Sequence, residues 1–191
     1  MLLLGPQGSG KGTQAKRISA EYGIPAIATG DMFRAAIAAD TQLGRKVKPI
    51  YDAGRLVPDE LTIDLIRDRL SQPDARAGFI LDGFPRNLPQ AEALDELLGE
   101  LGRPLDVVFD FQIDDELAKE RMLGRAKEEA RSDDTPEAIA ERLRIYHEQT
   151  EPLVQHYLAS GRVVGIHAER SIDEVWSELQ DALDQAEGEA A

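Results

Sequence analysis

The stretch MLLLGPQGSGKGTQ, residues 1–14, decides the fold of this chain. Its glycines surround a single lysine, Lys11, and directly follow the apolar residues Leu2 to Leu4. Glycine loses the most conformational freedom on folding, so this cluster would weaken any helix or strand that contained it. The order therefore predicts a short buried strand, a glycine turn and a helix that starts near Lys11. Backbone N–H groups of such a turn and the N-terminus of its helix attract anions, which indicates a phosphate-binding unit.

The composition limits the class of protein. The chain has 191 residues, a formal net charge of -14 and no cysteine. This length allows one sizeable core, so we expect a single domain over residues 1–191. The acidity argues against nonspecific nucleic-acid binding, which needs clustered Lys and Arg, and the lack of cysteine excludes disulfides and thiolate zinc sites.

We also expect neither a membrane span nor a signal peptide, and we expect a cytoplasmic protein. No apolar run approaches the roughly 20 residues that cross a bilayer, and no basic region precedes an apolar one at the N-terminus. Only residues 1–4 precede the phosphate loop, which is short for a strand and suggests that a residue or two is missing from the start.

Apolar runs bounded by turn signals predict five buried strands. These runs are residues 2–4, 24–28, 79–82, 106–113 and 162–166. They lack clean alternation, as parallel strands do when helices cover both faces of the sheet. Helical patterns lie between them, so we predict an α/β fold: a P-loop three-layer sandwich in which helices flank a five-stranded parallel sheet.

Other stretches add to this simple alternation. Residues 28–58 read as a helical insertion without a strand, and the charged residues 124–134 read as a second excursion from the sheet. Between the second excursion and the last strand, a helix is predicted from Thr135, with Pro136 at its first position, as far as Gly161.

The phosphate loop departs from the general pattern at one position. That pattern is Gly, four residues, Gly, Lys and then Ser or Thr, and residues 5–11 satisfy it. Gly12 stands where the hydroxyl residue usually ligates magnesium, so the ligand is lost unless Thr13 supplies it from one position later. Lys11 is predicted to reach the outer phosphates.

Several short motifs occur in one order along nearly the whole chain. They are GPQGSGKGTQ (5–14), ATGDMFR (28–34), DAGRLVPDE (52–60), ILDGFPRNLPQ (80–90), ERMLGR (120–125), RSDD (131–134) and ERLRIYHEQTEPL (141–153). Together they resemble the nucleoside monophosphate kinases, and the adenylate kinase family most closely. The resemblance implies phosphoryl transfer from ATP to AMP, with Mg²⁺ bound to ATP mainly through waters, in a monomer.

The reaction itself requires cations rather than a base. The acceptor oxygen belongs to a phosphomonoester whose second pKa is about 6, so it is already ionised at neutral pH. The three histidines, His147, His156 and His167, therefore need not be catalytic. Charge neutralisation and positioning are what the reaction needs, and the planar guanidinium of arginine suits both.

The resemblance implies a role for each motif residue. The catalytic cations would be Lys11, Arg86, Arg125, Arg131 and Arg142. ATP would be bound by Gly8, Ser9, Gly10, Lys11, Gly12, Thr13, Arg121 and Arg125, with Arg121 over the adenine. AMP would be bound by Thr29, Arg34, Arg55, Leu56, Val57, Gly83, Phe84, Pro85, Arg86, Gln90, Arg131 and Arg142. Asp82 would hold waters on the magnesium rather than ligate it directly.

The resemblance also implies two moving parts that exclude water from the reaction. Residues 28–58 would form the AMP-binding insertion, and residues 124–134 would form a short lid. Because the chain has no cysteine, we expect no structural zinc in this lid. Ala168 stands about where relatives have a glycine near the ATP adenine, so the preference for the triphosphate base stays open.

Two alternative functions remain at this stage. The first is a UMP/CMP kinase or another nucleoside monophosphate kinase. Such relatives typically place Asn where Gln90 stands, and the paired donor and acceptor of the Gln90 amide match the adenine edge. The second is a nucleotide-dependent switch, which would hydrolyse ATP without needing the second set of arginines.

Overall fold

The computed structural model describes residues 1–128 and 134–190 and contains one parallel sheet in the spatial order β2-β3-β1-β4-β5. Its strands are β1 (Leu2–Leu4), β2 (Ala26–Ala28), β3 (Ile80–Asp82), β4 (Val108–Gln112) and β5 (Val163–His167). The α-helices are α1 (Lys11–Tyr22), α2 (Thr29–Ala38), α3 (Gln42–Asp52), α4 (Asp59–Leu70), α5 (Leu88–Glu100), α6 (Asp115–Glu128), α7 (Pro136–Ile145), α8 (Pro152–Leu158) and α9 (Ile172–Ala190). The predicted α/β fold and its five parallel strands are confirmed.

The sheet is buried on both faces, as the unbroken apolar runs predicted. In β1, Leu2 and Leu4 belong to the core beneath α4, α5 and α8, whereas Leu3 belongs to the core beneath α1 and α9. Successive side chains of a strand point to opposite faces, so a strand between two helical layers needs apolar residues at every position.

Helix α9 shows how an acidic segment still contributes to this core. Its residues Val175, Leu179 and Leu183 are four apart, lie on one stripe and are at most 4% exposed. Within residues 1–128 and 134–190, no helix is both long and apolar enough to cross a membrane.

The carboxyl ends of the strands meet at one edge of the sheet. Leu3 pairs with Asp82 of β3, and Leu4 pairs with Asp110 of β4. Strands β3 and β4 lie on opposite sides of β1, so the loop after β1 leaves the sheet at a topological switch point. Open α/β sheets bind their ligands at such points, which places the phosphate loop where a ligand is expected.

Helices α2 and α3 and the loop that follows them, residues 29–58, form a small unit beside this edge, which we call the flap. It has its own core of Phe33, Val47 and Val57. Helix α3 ends at Gly54 in a Schellman motif: the Gly54 N–H donates to the Tyr51 carbonyl at 3.0 Å, and the Arg55 N–H donates to the Ile50 carbonyl at 3.1 Å. Gly54 has φ 73°, which favours glycine.

The helix predicted from Thr135 to Gly161 is not one regular α-helix. A π-helical turn, Tyr146–Thr150, separates α7 from α8, and the Glu151 N–H donates five residues back to the Tyr146 carbonyl at 2.8 Å. Pro152 explains the change, since its ring lacks an N–H and crowds the carbonyl four residues earlier. The turn lets the Thr150 hydroxyl donate to the Arg86 carbonyl at 2.7 Å, so it contacts the loop after β3.

Candidate active site

The phosphate loop wraps around the side chain of Lys11. The Lys11 ammonium donates to the carbonyls of Gly5 and Pro6, both at 2.7 Å, and to the Ser9 hydroxyl at 3.2 Å. The loop requires glycine at Gly8, which has φ 88°, because a Cβ there would lie 2.4 Å from the Ala118 carbonyl of α6. The loop therefore packs directly on α6, the helix that carries Arg121 and Arg125.

Lys11 lies in an electrostatically unusual position. Burial is the largest effect and lowers its pKa to about 8. The positive charges of Arg86 and Arg125 contribute to this lowering, while Asp82 and Asp110 oppose it. The fold thus brings two arginines from distant segments close enough to act on the lysine of the loop.

Arg86 belongs to the same cluster of cations. Its Nε donates to the Gly83 carbonyl at 2.7 Å. Burial lowers the pKa of Arg86 most, and the charges of Arg142 and Arg34 lower it as well, while Tyr51 and Asp82 raise it. Lys11, Arg34, Arg86, Arg125 and Arg142 therefore converge in a chain whose net charge is -14. We call these five residues the cation cluster.

Asp134 neutralises part of this cluster. Its side chain is 0% exposed and lies between Arg125 and Arg142. One carboxylate oxygen accepts from Arg125 Nε at 2.9 Å and from Arg125 Nη2 at 2.7 Å, and the other accepts from Arg142 Nη1. The predicted catalytic residue Arg131 lies outside the described residues.

A cavity next to the cluster brings together most of the residues predicted to bind AMP. Its lining consists of Thr29, Phe33, Tyr51, Arg55, Leu56, Val57, Thr62, Gly83, Arg86 and Gln90. Its volume is about 20 Å³, which is enough for a water molecule but not for a nucleotide. A nucleotide at this position therefore needs more space than the cavity has in this structure.

Four of the described residues predicted for AMP do not line this cavity, and one of them, Arg142, is bonded to Asp134 instead. Phe84 is 1% exposed and belongs to the core beneath α4, α5 and α8, and Pro85 follows it as a buried residue. Arg34 is bonded to Asp31 and to the Tyr51 hydroxyl, so it reaches the cavity through Tyr51.

Gly83 turns the chain between β3 and the cavity. It has φ 76°, and a Cβ there would lie 2.8 Å from Arg86 Nη2 and 2.9 Å from the Thr29 hydroxyl. The Thr29 hydroxyl also donates to the Gly83 carbonyl at 2.8 Å. Glycine is therefore needed to bring Thr29 and Arg86 together, a reason that the sequence did not reveal.

Gln90 is buried, with 2% of its surface exposed, and its amide is held at both ends. Its Oε1 accepts from the Arg86 backbone N–H at 2.8 Å, and its Nε2 donates to Asp59 Oδ1 at 2.7 Å. Asp59 Oδ1 also accepts from Asn87 Nδ2 at 2.8 Å. The residue predicted to recognise adenine is thus fixed by contacts from two other segments.

Arg121 joins α6 to the loop that follows β5. Its Nη1 donates to the Ala168 carbonyl at 2.7 Å and its Nη2 to the Glu169 carbonyl at 3.2 Å. Ala168 itself is 1% exposed, and its N–H donates to the Gln112 carbonyl at 2.9 Å. Arg121 therefore lies at the rim where the ATP adenine is predicted to bind.

The side chains near the loop suit a magnesium ion that keeps most of its water. Asp82 Oδ2 lies 3.5 Å from the point that a Cβ on Gly12 would occupy, and Thr13 is exposed. In the described ranges, no group of three or more His, Cys, Asp or Glu side chains could hold a metal. One hydroxyl and one carboxylate are the usual protein contribution to a magnesium site shared with phosphates.

The three histidines are paired with carboxylates rather than with the cluster. His147 contacts Asp115 and Glu151, His156 contacts Asp95, and His167 contacts Glu178. The site residues that the sequence reasoning missed are Tyr51, Asp59 and Thr150. Asp59 and Thr150 carried a signal, because they lie in the quoted motifs DAGRLVPDE and ERLRIYHEQTEPL, whereas Tyr51 lies in neither.

Comparisons with known proteins agree with one another. A family model described as adenylate kinase matches residues 3–162. The adenylate kinase of Stenotrophomonas maltophilia (strain K279a) is 48% identical over 183 residues, which cover 96% of this chain and 98% of the relative. The adenylate kinase of Thermobifida fusca (strain YX) is 49% identical over 183 residues, which cover 96% and 97%.

A third relative differs in length. The adenylate kinase of Acetivibrio thermocellus is 44% identical over 210 residues, which cover 96% of this chain and 97% of the relative. This alignment is longer than the 191 residues of the chain, so that relative contains residues which this chain lacks.

Proposed function

The chain belongs to the adenylate kinase family and catalyses the reversible reaction ATP + AMP = 2 ADP, and we propose that its cation cluster carries out this phosphoryl transfer. One observation supports the proposal above all others. Five cations from distant segments converge beside the phosphate loop, although like charges repel and the chain is acidic. Such a cluster is stabilised when anionic ligands bind, and the two substrates meet with their phosphates facing each other.

On the ATP side, Gly8, Ser9, Gly10, Lys11, Gly12 and Thr13 surround the phosphates. Lys11 exchanges its bonds to the Gly5 and Pro6 carbonyls for bonds to phosphate oxygens. Thr13 and, through waters, Asp82 would hold Mg²⁺, which would neutralise phosphate charge. Arg121 lies over the adenine and keeps the loop at Ala168 in place.

On the AMP side, the cavity beside the flap opens to admit the nucleotide. Arg34 and Arg86 bind its phosphate, and Arg55, Leu56 and Val57 of the flap contact the rest of the molecule with Thr29 and Gly83. Phe84 and Pro85, which are buried and lie between Gly83 and Arg86 in the chain, hold this segment of the pocket in place. Gln90 recognises the adenine edge by its amide.

Catalysis consists of bringing the two phosphates together and neutralising the charge between them. Arg86, Arg125, Arg131 and Arg142 bind the phosphate oxygens, and Lys11 follows the transferred group. Asp134 neutralises Arg125 and Arg142 before substrates arrive. The phosphates then replace this carboxylate as the partners of the two guanidinium groups.

The domain organisation completes the proposal. Residues 1–191 form one kinase domain, residues 28–58 are its AMP-binding insertion and residues 124–134 its short lid. The enzyme acts as a monomer in the cytoplasm, where its nucleotide substrates are available, with no structural zinc and with no nucleic acid or membrane partner.

The test replaces one cation of the AMP side. ADP formation is followed in a coupled assay with ATP and, in turn, AMP, CMP, UMP and GMP, using the unaltered protein, Arg86→Ala and Arg67→Ala. Arg67 is an exposed arginine on α4, outside the cation cluster, and serves as the matched control. We expect Arg86→Ala to lower kcat/KM for AMP by on the order of a hundredfold or more, the effect of removing one electrostatic donor from a closed site. If Arg86→Ala behaves like Arg67→Ala, the AMP site is assigned wrongly, and faster turnover of CMP or UMP than of AMP contradicts the adenine preference.

A further inference from the structure

The amide of Gln90 can in principle read two kinds of purine. A glutamine amide has an acceptor oxygen and a donor nitrogen, and a rotation of half a turn exchanges them. In one orientation it complements adenine, which offers the N6 amino donor and the N1 acceptor. In the other it complements hypoxanthine and guanine, which offer the O6 acceptor and the N1–H donor. Selectivity among purines therefore depends on what holds the amide in place.

The partners of Gln90 allow only one orientation. Arg86 presents a backbone N–H, which can only donate, and Asp59 presents a carboxylate, which can only accept. If the amide rotated, its nitrogen would face the N–H and its oxygen would face the carboxylate. Both contacts would then be repulsive at distances of 2.8 and 2.7 Å. Buried polar groups without partners are unfavourable, and Gln90 is only 2% exposed.

The groups that remain on Gln90 match adenine. One Oε1 lone pair and one Nε2 hydrogen are not used by Arg86 and Asp59. Gln90 lines the cavity, so a base in the opened cavity can meet this pair. Gln90 Oε1 can accept from N6–H of adenine while Gln90 Nε2 donates to N1 of adenine. With hypoxanthine, Oε1 would face the acceptor O6 and Nε2 would face the donor N1–H, so neither hydrogen bond could form.

Asp59 is itself positioned to hold this orientation. It is the first residue of α4, and Asn87 Nδ2 donates to the same Oδ1 that accepts from Gln90. Asn87 caps the start of α5 by accepting from the Gln90 backbone N–H at 3.0 Å. Asp59, Asn87 and Gln90 thus form one network that ties the start of α4 to the start of α5.

We propose that Asp59 is a positioning residue that makes the acceptor site select AMP over IMP and GMP by fixing the orientation of the Gln90 amide. The proposal rests on the AMP site proposed above. Asp59 does not contact the base; it acts through Gln90. IMP is the most informative competitor, because it has the O6 and N1–H of guanine without the additional 2-amino group.

The experiment measures kcat/KM for AMP and for IMP, with ATP as the donor, in the unaltered protein and in variants of Asp59. Asp59→Ala removes the acceptor and lets the amide rotate. The ratio of kcat/KM for AMP to that for IMP is then expected to fall by about tenfold, the lower part of the discrimination that a two-bond amide contact supplies. Asp59→Asn retains a carbonyl acceptor for Gln90 Nε2, so the ratio is expected to stay close to that of the unaltered protein.

Two further variants separate this effect from a loss of structure. Asp64→Ala removes the same charge from an exposed position of α4 and should leave the ratio unchanged. If Asp59→Ala does not fold, Asp59→Ser replaces it, since serine keeps a small polar side chain at the first residue of α4 but is shorter than aspartate. Thermal unfolding of each variant reports stability separately from the ratio.

The outcomes distinguish this inference from the proposed function. If the ratio of kcat/KM for AMP to that for IMP does not change in Asp59→Ala, the inference is overturned. An equal loss of both values would show that the role of Asp59 is purely structural. If the unaltered protein itself prefers another acceptor to AMP, the proposed AMP site fails instead. A fall in the ratio with Asp59→Ala, restored by Asp59→Asn, supports the inference.

Discussion

Gly54 connects the end of α3 to the AMP-binding segment and lies against the start of α7. A Cβ on this glycine would be 2.5 Å from the Ala138 carbonyl, and an ordinary contact begins at 3.4 Å. Gly54→Ala therefore forces the flap and α7 apart by about 1 Å, because the carbonyl belongs to the backbone and cannot rotate away. Arg55, Leu56 and Val57 follow directly and line the cavity, so they move with the flap.

The expected effect is a selective loss of AMP use. A misplacement of about 1 Å can lower a rate by on the order of a hundredfold, so we expect kcat/KM for AMP to fall roughly ten- to a hundredfold. The KM for ATP should change little, since the phosphate loop does not contact Gly54. Gly54 has φ 73°, in the left-handed region. Alanine in this conformation lowers the free energy of unfolding by a further amount of about 1–2 kcal/mol, the value for any residue other than glycine. Coupled kinetics with each substrate varied and thermal unfolding measure the two effects.

Gly102→Ala is the matched control for this variant. Gly102 also has a positive φ, 63°, but nothing lies within 4 Å of the Cβ that alanine would add. It should therefore lose stability through its backbone conformation and keep normal kinetics. If Gly54→Ala shows the same stability loss as Gly102→Ala and an unchanged KM and kcat for AMP, the close contact between flap and α7 does not position the AMP site.

Three further predictions concern charged groups. The pKa of Lys11 is lowered to about 8, mainly by burial. Because kcat/KM for ATP reports the free enzyme, it should decline above about pH 8 as the ammonium loses the proton that binds phosphate. A profile of kcat/KM that stays flat to about pH 10 would contradict this prediction. Asp134→Ala removes a fully buried carboxylate from between two guanidinium groups. We expect urea unfolding to show a free energy of unfolding lower by about 2–4 kcal/mol. This is somewhat under the value for a fully buried pair, because Arg125 is 28% exposed. A loss below about 1 kcal/mol would contradict the view that Asp134 stabilises the two guanidinium groups. Glu151 and, more weakly, Asp115 raise the pKa of His147. The protonated imidazole therefore stabilises the folded protein fully below the unfolded pKa of about 6.5, and this stabilisation is lost as pH rises through the raised pKa of the folded state. The difference in Tm between the unaltered protein and His147→Gln should thus be larger at about pH 5.5 than at about pH 8.5, and an equal difference at both would contradict it.

The parts of the fold that the sequence predicts are those whose cause is local. Apolar runs predicted all five strands to within a few residues, because a strand covered on both faces needs apolar residues at every position. The phosphate loop could also be predicted from the sequence, because the glycines that adopt positive φ, Gly8 and Gly10, lie within a few residues of Lys11. The π-helical turn was missed because its cause is less local: Pro152 breaks the regular pattern, and the contact of Thr150 with Arg86 crosses from one segment to another.

The sequence by itself thus determined the order of strands and helices, the phosphate loop and the types of residue that could bind phosphate. Only the tertiary structure decided which of these residues meet. It places Asp134 between Arg125 and Arg142, brings Lys11 within the field of Arg86, and lets Asp59 hold Gln90 across 31 positions of the chain. The physical reason is that hydrogen bonds and charges act over a few ångströms in space, so a partner far along the chain leaves no periodic pattern in the sequence.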